Sequence, residues 1–256
     1  MCTHCGCSSD KASVVNPGSG QIPETITRKE SAHTLHLQQA ILDGNDDIAA
    51  RTRHHFQHQQ VVCINVMGTP GAGKTHLLET LLRNAYFDNE RVAVLEGDQN
   101  SNNDAQRIIN AGGKALQINT GTGCHLDAEM ISVGVETLAL TTDSLLFVEN
   151  VGNLVCPALF DLGESARIAI MAVTDGEDKP VKYPHMFSQC DLVLINKSDL
   201  LPYVDFNVEK VIHDISHLNP GCPVLLVSAK TGEGVDAVAK WILERTPHDQ
   251  AIHTAQ

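Results

Sequence analysis

No stretch of this 256-residue chain approaches the roughly 18 consecutive apolar residues of a transmembrane helix, and the N-terminus has no apolar core of a secretory leader. The expectation is a cytoplasmic protein in which Cys2 is neither a lipobox nor a secretory cysteine. Positive charge is also scarce. Eighteen Lys and Arg face 31 Asp and Glu, a formal net charge of -13. That balance argues against nonspecific binding to nucleic acid or to an anionic membrane surface. No internal repeat is visible. Hydrophobic residues make up 42%, an ordinary share for a packed core, and the length allows one good-sized domain plus appendages.

Cysteine is present, and unevenly placed. Three of the eight cysteines, Cys2, Cys5 and Cys7, fall in the opening MCTHCGC. In a reducing compartment cysteines are metal ligands or buried thiols more often than disulfides. A chain end has no core to stabilise, so burial does not explain the cluster. C-x-x-C-x-C brings three soft thiolates within reach of one ion and needs no fold to do so. Cys63, Cys190 and Cys222 lie within or at the start of β-rich runs and read as small buried hydrophobes. His33, His36, His54, His55 and His58 read as a solvated helical face.

Residues 8–28 mix Ser, Gly, Pro and polar residues without period, so 1–28 reads as a flexible metal-binding tail and linker. Residues 29–60 carry a helical pattern, expected as two helices broken near Asp43-Gly44-Asn45. From Val61 onward, VVCINVMG, RVAVLEGD, KALQINT, SLLFVEN, RIAIMAVTD, DLVLINKSD and PVLLVSAK follow one another, most separated by helical segments. Apolar strands with little alternation, interleaved with helices, predict an α/β domain over 61–247. Its sheet should be mostly parallel and covered by helices on both faces. Residues 248–256 read as a loose tail. In such a sheet, chemistry gathers at the carboxyl ends of the strands.

The strongest motif sits at such an end. GTPGAGKT, Gly68 to Thr75, follows the first strand and precedes the helical HLLETLLRNA. It fits G-x-x-x-x-G-K-[ST] in the strand–loop–helix context of a P-loop. Gly68, Gly71, Ala72, Gly73 and the start of the helix through His76 would wrap the phosphates with backbone N–H groups. Lys74 would reach the β- and γ-phosphates, and Thr75 would ligate Mg²⁺. Glu149 ends SLLFVEN and Asp98 ends RVAVLEGD, two acids placed for Mg²⁺ or its waters. Gly152 could bring a backbone N–H to the γ-phosphate. NKSD, Asn196, Lys197 and Ser198 to Asp199, ends another strand. A carboxylate there accepts from guanine N1–H and the exocyclic amine, donors that adenine does not offer in that arrangement. Ser228, Ala229 and Lys230 close a further strand, where GTPases carry another base-contacting loop. GTP is expected rather than ATP.

GTGCHLD places Cys124 beside His125, and ENVGNLVCP places Cys156 a few residues beyond Glu149. Thiolate and imidazole suit Zn²⁺ or Ni²⁺ rather than Mg²⁺, and three ligands leave a tetrahedral shell open to a water or a second subunit.

Together CTHCGC, GTPGAGKT, GDQNSNNDAQRI, GTGCHLD, FVENVGNLVCP, DGEDKPVKYPHMF, NKSD and SAKTGEG resemble the HypB family, the nickel-inserting GTPases of nickel–iron hydrogenase maturation. The resemblance implies a P-loop GTPase that dimerises with nucleotide. It implies GTP hydrolysis coupled to nickel transfer toward a hydrogenase large-subunit precursor, and an accessory partner of the HypA type. It also implies a tight nickel site at Cys2, Cys5 and Cys7, and a weaker nickel or zinc site at Cys124, His125 and Cys156 on the dimer interface. Ser101 and Asn102 stand where that family often shows Thr and an acid. Three other readings stand beside it: a metallochaperone GTPase for urease or another metalloenzyme, a nucleotide-gated nickel or zinc store, and a P-loop kinase with a zinc tail. NKSD disfavours the kinase. Cys156-Pro157 is followed by Ala158 and not by the His of the urease type.

Asp199→Asn is expected to weaken GTP binding and improve that of xanthosine triphosphate, since an amide can donate to the xanthine carbonyl but cannot accept from both guanine donors. Competition binding with the two nucleotides checks this, and an unchanged preference for GTP would remove NKSD from base recognition.

Overall fold

The computed structural model describes residues 11–14, 24–27, 32–84, 86–98, 103–121 and 123–246. Cys2, Cys5, Cys7 and residues 248–256 lie outside them. In chain order the elements are β1 (Lys11–Val14), β2 (Glu24–Thr27), α1 (Ala32–Gln59), β3 (Val62–Gly68), α2 (Lys74–Arg83), β4 (Val92–Asp98), α3 (Asn103–Asn110), β5 (Lys114–Asn119) and α4 (Ala128–Leu138). Then come β6 (Leu145–Glu149), α5 (Cys156–Leu159), β7 (Ala166–Ala172), α6 (Lys179–Lys182), α7 (Pro184–Ser188), β8 (Leu192–Asn196), α8 (Val208–Leu218), β9 (Val224–Leu226) and α9 (Val235–Leu243). The chain divides into two units, Met1–Gly44 and Asn45–Gln256. In the first, β1 and β2 pair antiparallel within the stretch expected as linker.

All seven strands expected from Val61 onward form. They make one sheet in the order β5-β4-β6-β3-β7-β8-β9, with each neighbouring pair parallel. The continuous apolar runs are explained by the alternation within them. Ile168, Ile170, Leu192 and Leu194 join Leu77, Leu81, Val238 and Ile242 in one core. Their neighbours Ala169, Met171, Val193 and Ile195 join Phe187, Val211 and Ile215 in another. A strand buried on both faces needs apolar residues at every position. Chain order reverses around β3 and β6, and the crevice at their carboxyl ends is the place where open α/β sheets bind ligands. Among the described residues no helix is long and apolar enough to cross a membrane.

The two helices expected over 29–60 are one. α1 passes through Asp43-Gly44-Asn45 without a break. A glycine inside a helix costs about 1 kcal/mol relative to alanine. Packing on the C-terminal side of the glycine outweighs that: Ala49, Thr52 and Phe56 are buried, and burying one phenylalanine contributes roughly 1.5–3 kcal/mol. Asn45 donates its Nδ2 to the Asp161 carbonyl at 2.8 Å and accepts from Ala128 N at 2.9 Å. Arg53 Nη2 donates to both oxygens of the Asp161 carboxylate, at 2.6 and 2.8 Å. His54, His55 and His58 are exposed, as a solvated face requires.

Phe56→Ala is expected to destabilise the protein by about 3–5 kcal/mol, the usual cost of emptying a buried aromatic site. Urea unfolding measures it, and a loss below about 1 kcal/mol would mean that α1 is not part of the cooperative core.

Candidate functional site

The residues expected to hold a nucleotide converge on the carboxyl ends of β3, β4, β6 and β8. β3 ends at Gly68, packed so closely that a Cβ there would lie 2.3 Å from the Ile170 carbonyl. Gly71 and Gly73 have φ of +75° and +95°. At Gly73 a Cβ would also strike Asn196 Nδ2 at 2.5 Å, so this turn requires glycine twice over. Thr69 hydrogen-bonds the Asp175 carboxylate. Lys74 is buried and donates its Nζ to the Thr69 carbonyl at 3.4 Å. Thr75 Oγ1 donates to Glu149 Oε1 at 2.9 Å. Pro70, Gly71, Lys74, Thr75, His76, Asp98, Glu149 and Gly152 line a common cavity of 490 Å³.

The residues expected to read the base form the other half. Asn196 spends its side chain on scaffolding: its Nδ2 donates to the Ala72 carbonyl at 2.7 Å and its Oδ1 accepts from Ala229 N at 3.1 Å. It therefore ties the phosphate loop to the loop after β9. Lys197 adopts a left-handed φ of 64° at the turn out of β8. Asp199 Oδ1 accepts from Ser228 Oγ at 2.7 Å, and exposed Lys230 lies 3.9 Å from its Oδ2. The Asp199 carboxylate is thus oriented by a buried hydroxyl.

The second constellation is equally compact. One ligand atom from each of Cys124, His125 and Cys156 lies within 4.8 Å of the other two. The two sulfurs are 2.9 Å apart, and Cys124 Sγ is 3.7 Å from His125 Nδ1. The His125 ring stacks on Phe160 with centroids 3.9 Å apart, which fixes its plane. Burial lowers its pKa, against the pull of Asp127, and so favours the neutral, ligating imidazole. Two sulfurs and one imidazole form a donor set for a borderline or soft divalent ion.

The nucleotide-binding domain of the CobW/HypB/UreG family matches residues 62–226. The chain belongs to this family. It is 49% identical over 208 residues to the hydrogenase maturation factor HypB of Rhizobium leguminosarum bv. viciae, covering 81% of this chain and 69% of that one. It is 49% identical over 226 residues to the HypB of Escherichia coli (strain K12), covering 88% and 77%. The crystal structure of HypB from Helicobacter pylori in complex with nickel superposes with a TM-score of 0.75 at 35% identity, over 83% of this chain and all of that one. The motifs that resembled HypB thus belong to a chain similar to HypB proteins over most of its length.

Against the family frame, one acid escaped the sequence reading. Glu96 lies in mid-strand, level with Glu149 across the β4–β6 pairing. It is 2% exposed and lines the same cavity. Burial, then the neighbouring Glu149 charge, push its pKa well above the usual carboxylate range. Burial raises Glu149 too, while Lys74 and Thr75 pull it back. Glu96 Oε1 and Glu149 Oε2 are buried without a hydrogen-bond partner. Two buried oxygens beside the Thr75 hydroxyl fit a hard, oxygen-seeking cation. The signal available was a lone glutamate in the otherwise apolar VAVLEG. Arg107, held by Glu79 at 2.6 Å and Asp104 at 3.0 Å, also lines the cavity and was not anticipated.

An acid whose folded pKa is raised loses stability as pH climbs through that value. Glu96→Gln keeps a donor toward Glu149 and has no proton to lose. The nucleotide-free variant is therefore expected to melt above the parent at pH 8, with the gain shrinking toward about pH 4, where carboxyls are protonated even unfolded. It should also blunt the Mg²⁺ dependence of nucleotide affinity. A pH-independent difference in melting temperature would contradict the carboxyl-pair account.

Proposed function

We propose that the chain is a GTP-hydrolysing nickel carrier that delivers Ni²⁺ for assembly of the nickel–iron hydrogenase active site. The observation that carries this reading is the adjacency of two chemically different sites on one loop. Residues 149–156 begin with the carboxylate bonded to Thr75 and end with a cysteine 2.9 Å from another. The similar HypB proteins and the motif CTHCGC support hydrogenase as the destination.

In this reading GTP enters with its phosphates against the backbone N–H groups of Gly71 to His76 and the Lys74 ammonium. Asp199 holds the guanine edge, and Asn196 keeps the two halves in register. Mg²⁺ supplies charge neutralisation on the phosphate oxygens when bound, with Thr75, Asp98, Glu149 and Glu96 as the oxygen donors at hand. Water attacks the γ-phosphorus, the bond to the β–γ bridging oxygen breaks, and GDP and inorganic phosphate leave. Gly152 would sense the γ-phosphate through its backbone. Nickel, the cargo, would be held tightly by Cys2, Cys5 and Cys7. It would be held more weakly, in exchange with zinc, by Cys124, His125 and Cys156, whose open position suits a ligand from a second copy in a nucleotide-dependent homodimer. A HypA-type accessory protein and the hydrogenase large-subunit precursor are the proposed partners, in the cytoplasm.

Metal stoichiometry of the full-length protein, with GDP and with a non-hydrolysable GTP analogue, tests the two-site reading. Lys74→Ala is expected to abolish hydrolysis while leaving the tightly bound nickel, because the tail chelates without the fold. Loss of that nickel in the variant would contradict it, and absence of GTP turnover in the parent would reduce the protein to a metal store.

A further inference from the structure

Two asparagines in ENVGN connect the candidate sites. Asn150 is 1% exposed and works as a fixed anchor. Its backbone N–H donates to the Val66 carbonyl at 3.0 Å, its Nδ2 donates to Asn65, and its Oδ1 accepts from Leu126 N, next to His125, at 3.2 Å. Asn153 lies on the far side of Gly152 and is differently placed. Its backbone bridges Gly68, the first residue of the phosphate loop. Its Nδ2 donates to the Cys124 carbonyl at 3.3 Å. Its Oδ1 accepts from Val155 N at 2.9 Å, the residue that leads into Cys156. One planar amide thus spans the backbones beside both sulfur ligands, on a residue tied to the phosphate loop.

The spacing of those sulfurs matters. At 2.9 Å they are closer than a bound metal allows, since bonds near 2.3 Å place cis thiolates about 3.3–3.8 Å apart in square-planar or tetrahedral shells. Metal entry therefore requires Cys124 and Cys156 to part, and the Asn153 amide bridges the segments that must move. Gly152, between the two asparagines, abuts Pro70 so tightly that a Cβ would lie 3.0 Å from the proline Cα and N. A displacement of the phosphate loop at Pro70 reaches Asn153 through a single residue.

We infer that Asn153 is the positioning residue that transmits the state of the phosphate site to the nickel ligands, setting the Cys124–Cys156 separation through its two side-chain hydrogen bonds. This rests on the nickel-carrier reading above. The test uses the full chain with Cys2, Cys5 and Cys7 changed to Ala, so that nickel titration reads only the second site, in GDP and in the GTP analogue. In that parent, nickel affinity is expected to differ between the two nucleotides by about 5–150-fold, the range of typical coupling. In Asn153→Ala the ratio falls to about one, while the affinity for each nucleotide measured without nickel stays like the parent's, a split that a merely structural defect would not produce. Asn153→Asp keeps the acceptor for Val155 N and replaces the donor to the Cys124 carbonyl by a carboxylate oxygen, so it breaks the bridging bond without emptying the site should the alanine variant prove poorly folded. Retention of the parent's ratio in both variants would overturn the assignment. A ratio of one in the parent itself would instead overturn nucleotide-gated carriage, and with it this inference.

Discussion

β6 runs between β3 and β4, and that register sets Glu149 level with Val66 on one side and Glu96 on the other. Two residues past Val66 the chain turns into the phosphate loop, so the same register brings Thr75 to the Glu149 carboxylate. The strand then has to leave the sheet. Its exit, Asn150 to Val155, crosses the phosphate loop at Gly68 and Pro70 before reaching Cys156. The sulfur–imidazole trio is adjacent to the nucleotide cavity because of where one parallel strand ends. Interior side chains on β6, all buried, hold that end in place.

The two candidate sites divide the donor chemistry cleanly. Buried oxygens from Glu96, Glu149 and Thr75 face the cavity, a setting for a hard cation and phosphate. Sulfur and nitrogen from Cys124, His125 and Cys156 gather beyond the exit loop. Desolvation acts on both toward the neutral form, with opposite consequences for the proton: the carboxyls hold theirs and the imidazole gives its up. It raises the pKa of both carboxyls and lowers that of the His125 imidazole.

Much of this was legible from residue order. The seven apolar runs become seven strands of one sheet, the middle ones buried on both faces, and in GTPGAGKT the close approach at Gly68 and the left-handed turns at Gly71 and Gly73 require glycine. Cys124, His125 and Cys156 come together because both loops leave their strands at the carboxyl ends of the sheet. What escaped notice depended on contacts between segments distant in sequence. Glu96 matters through its pairing with Glu149, 53 residues on by their numbers. Asp43-Gly44-Asn45 read as a helix break because the turn signal is local, whereas Asn45 is held by Asp161 and Ala128. Asn153 lies within FVENVGNLVCP, but the motif assigns it no task; its role emerges from what its amide touches.

Single-turnover hydrolysis with nickel bound at the Cys124–His125–Cys156 site, followed by thiolate-to-nickel absorption and by phosphate release in the same sample, tests the link between the two sites most directly. The account predicts that the nickel–thiolate signal changes in step with phosphate release. A signal that stays constant while phosphate is released would contradict it.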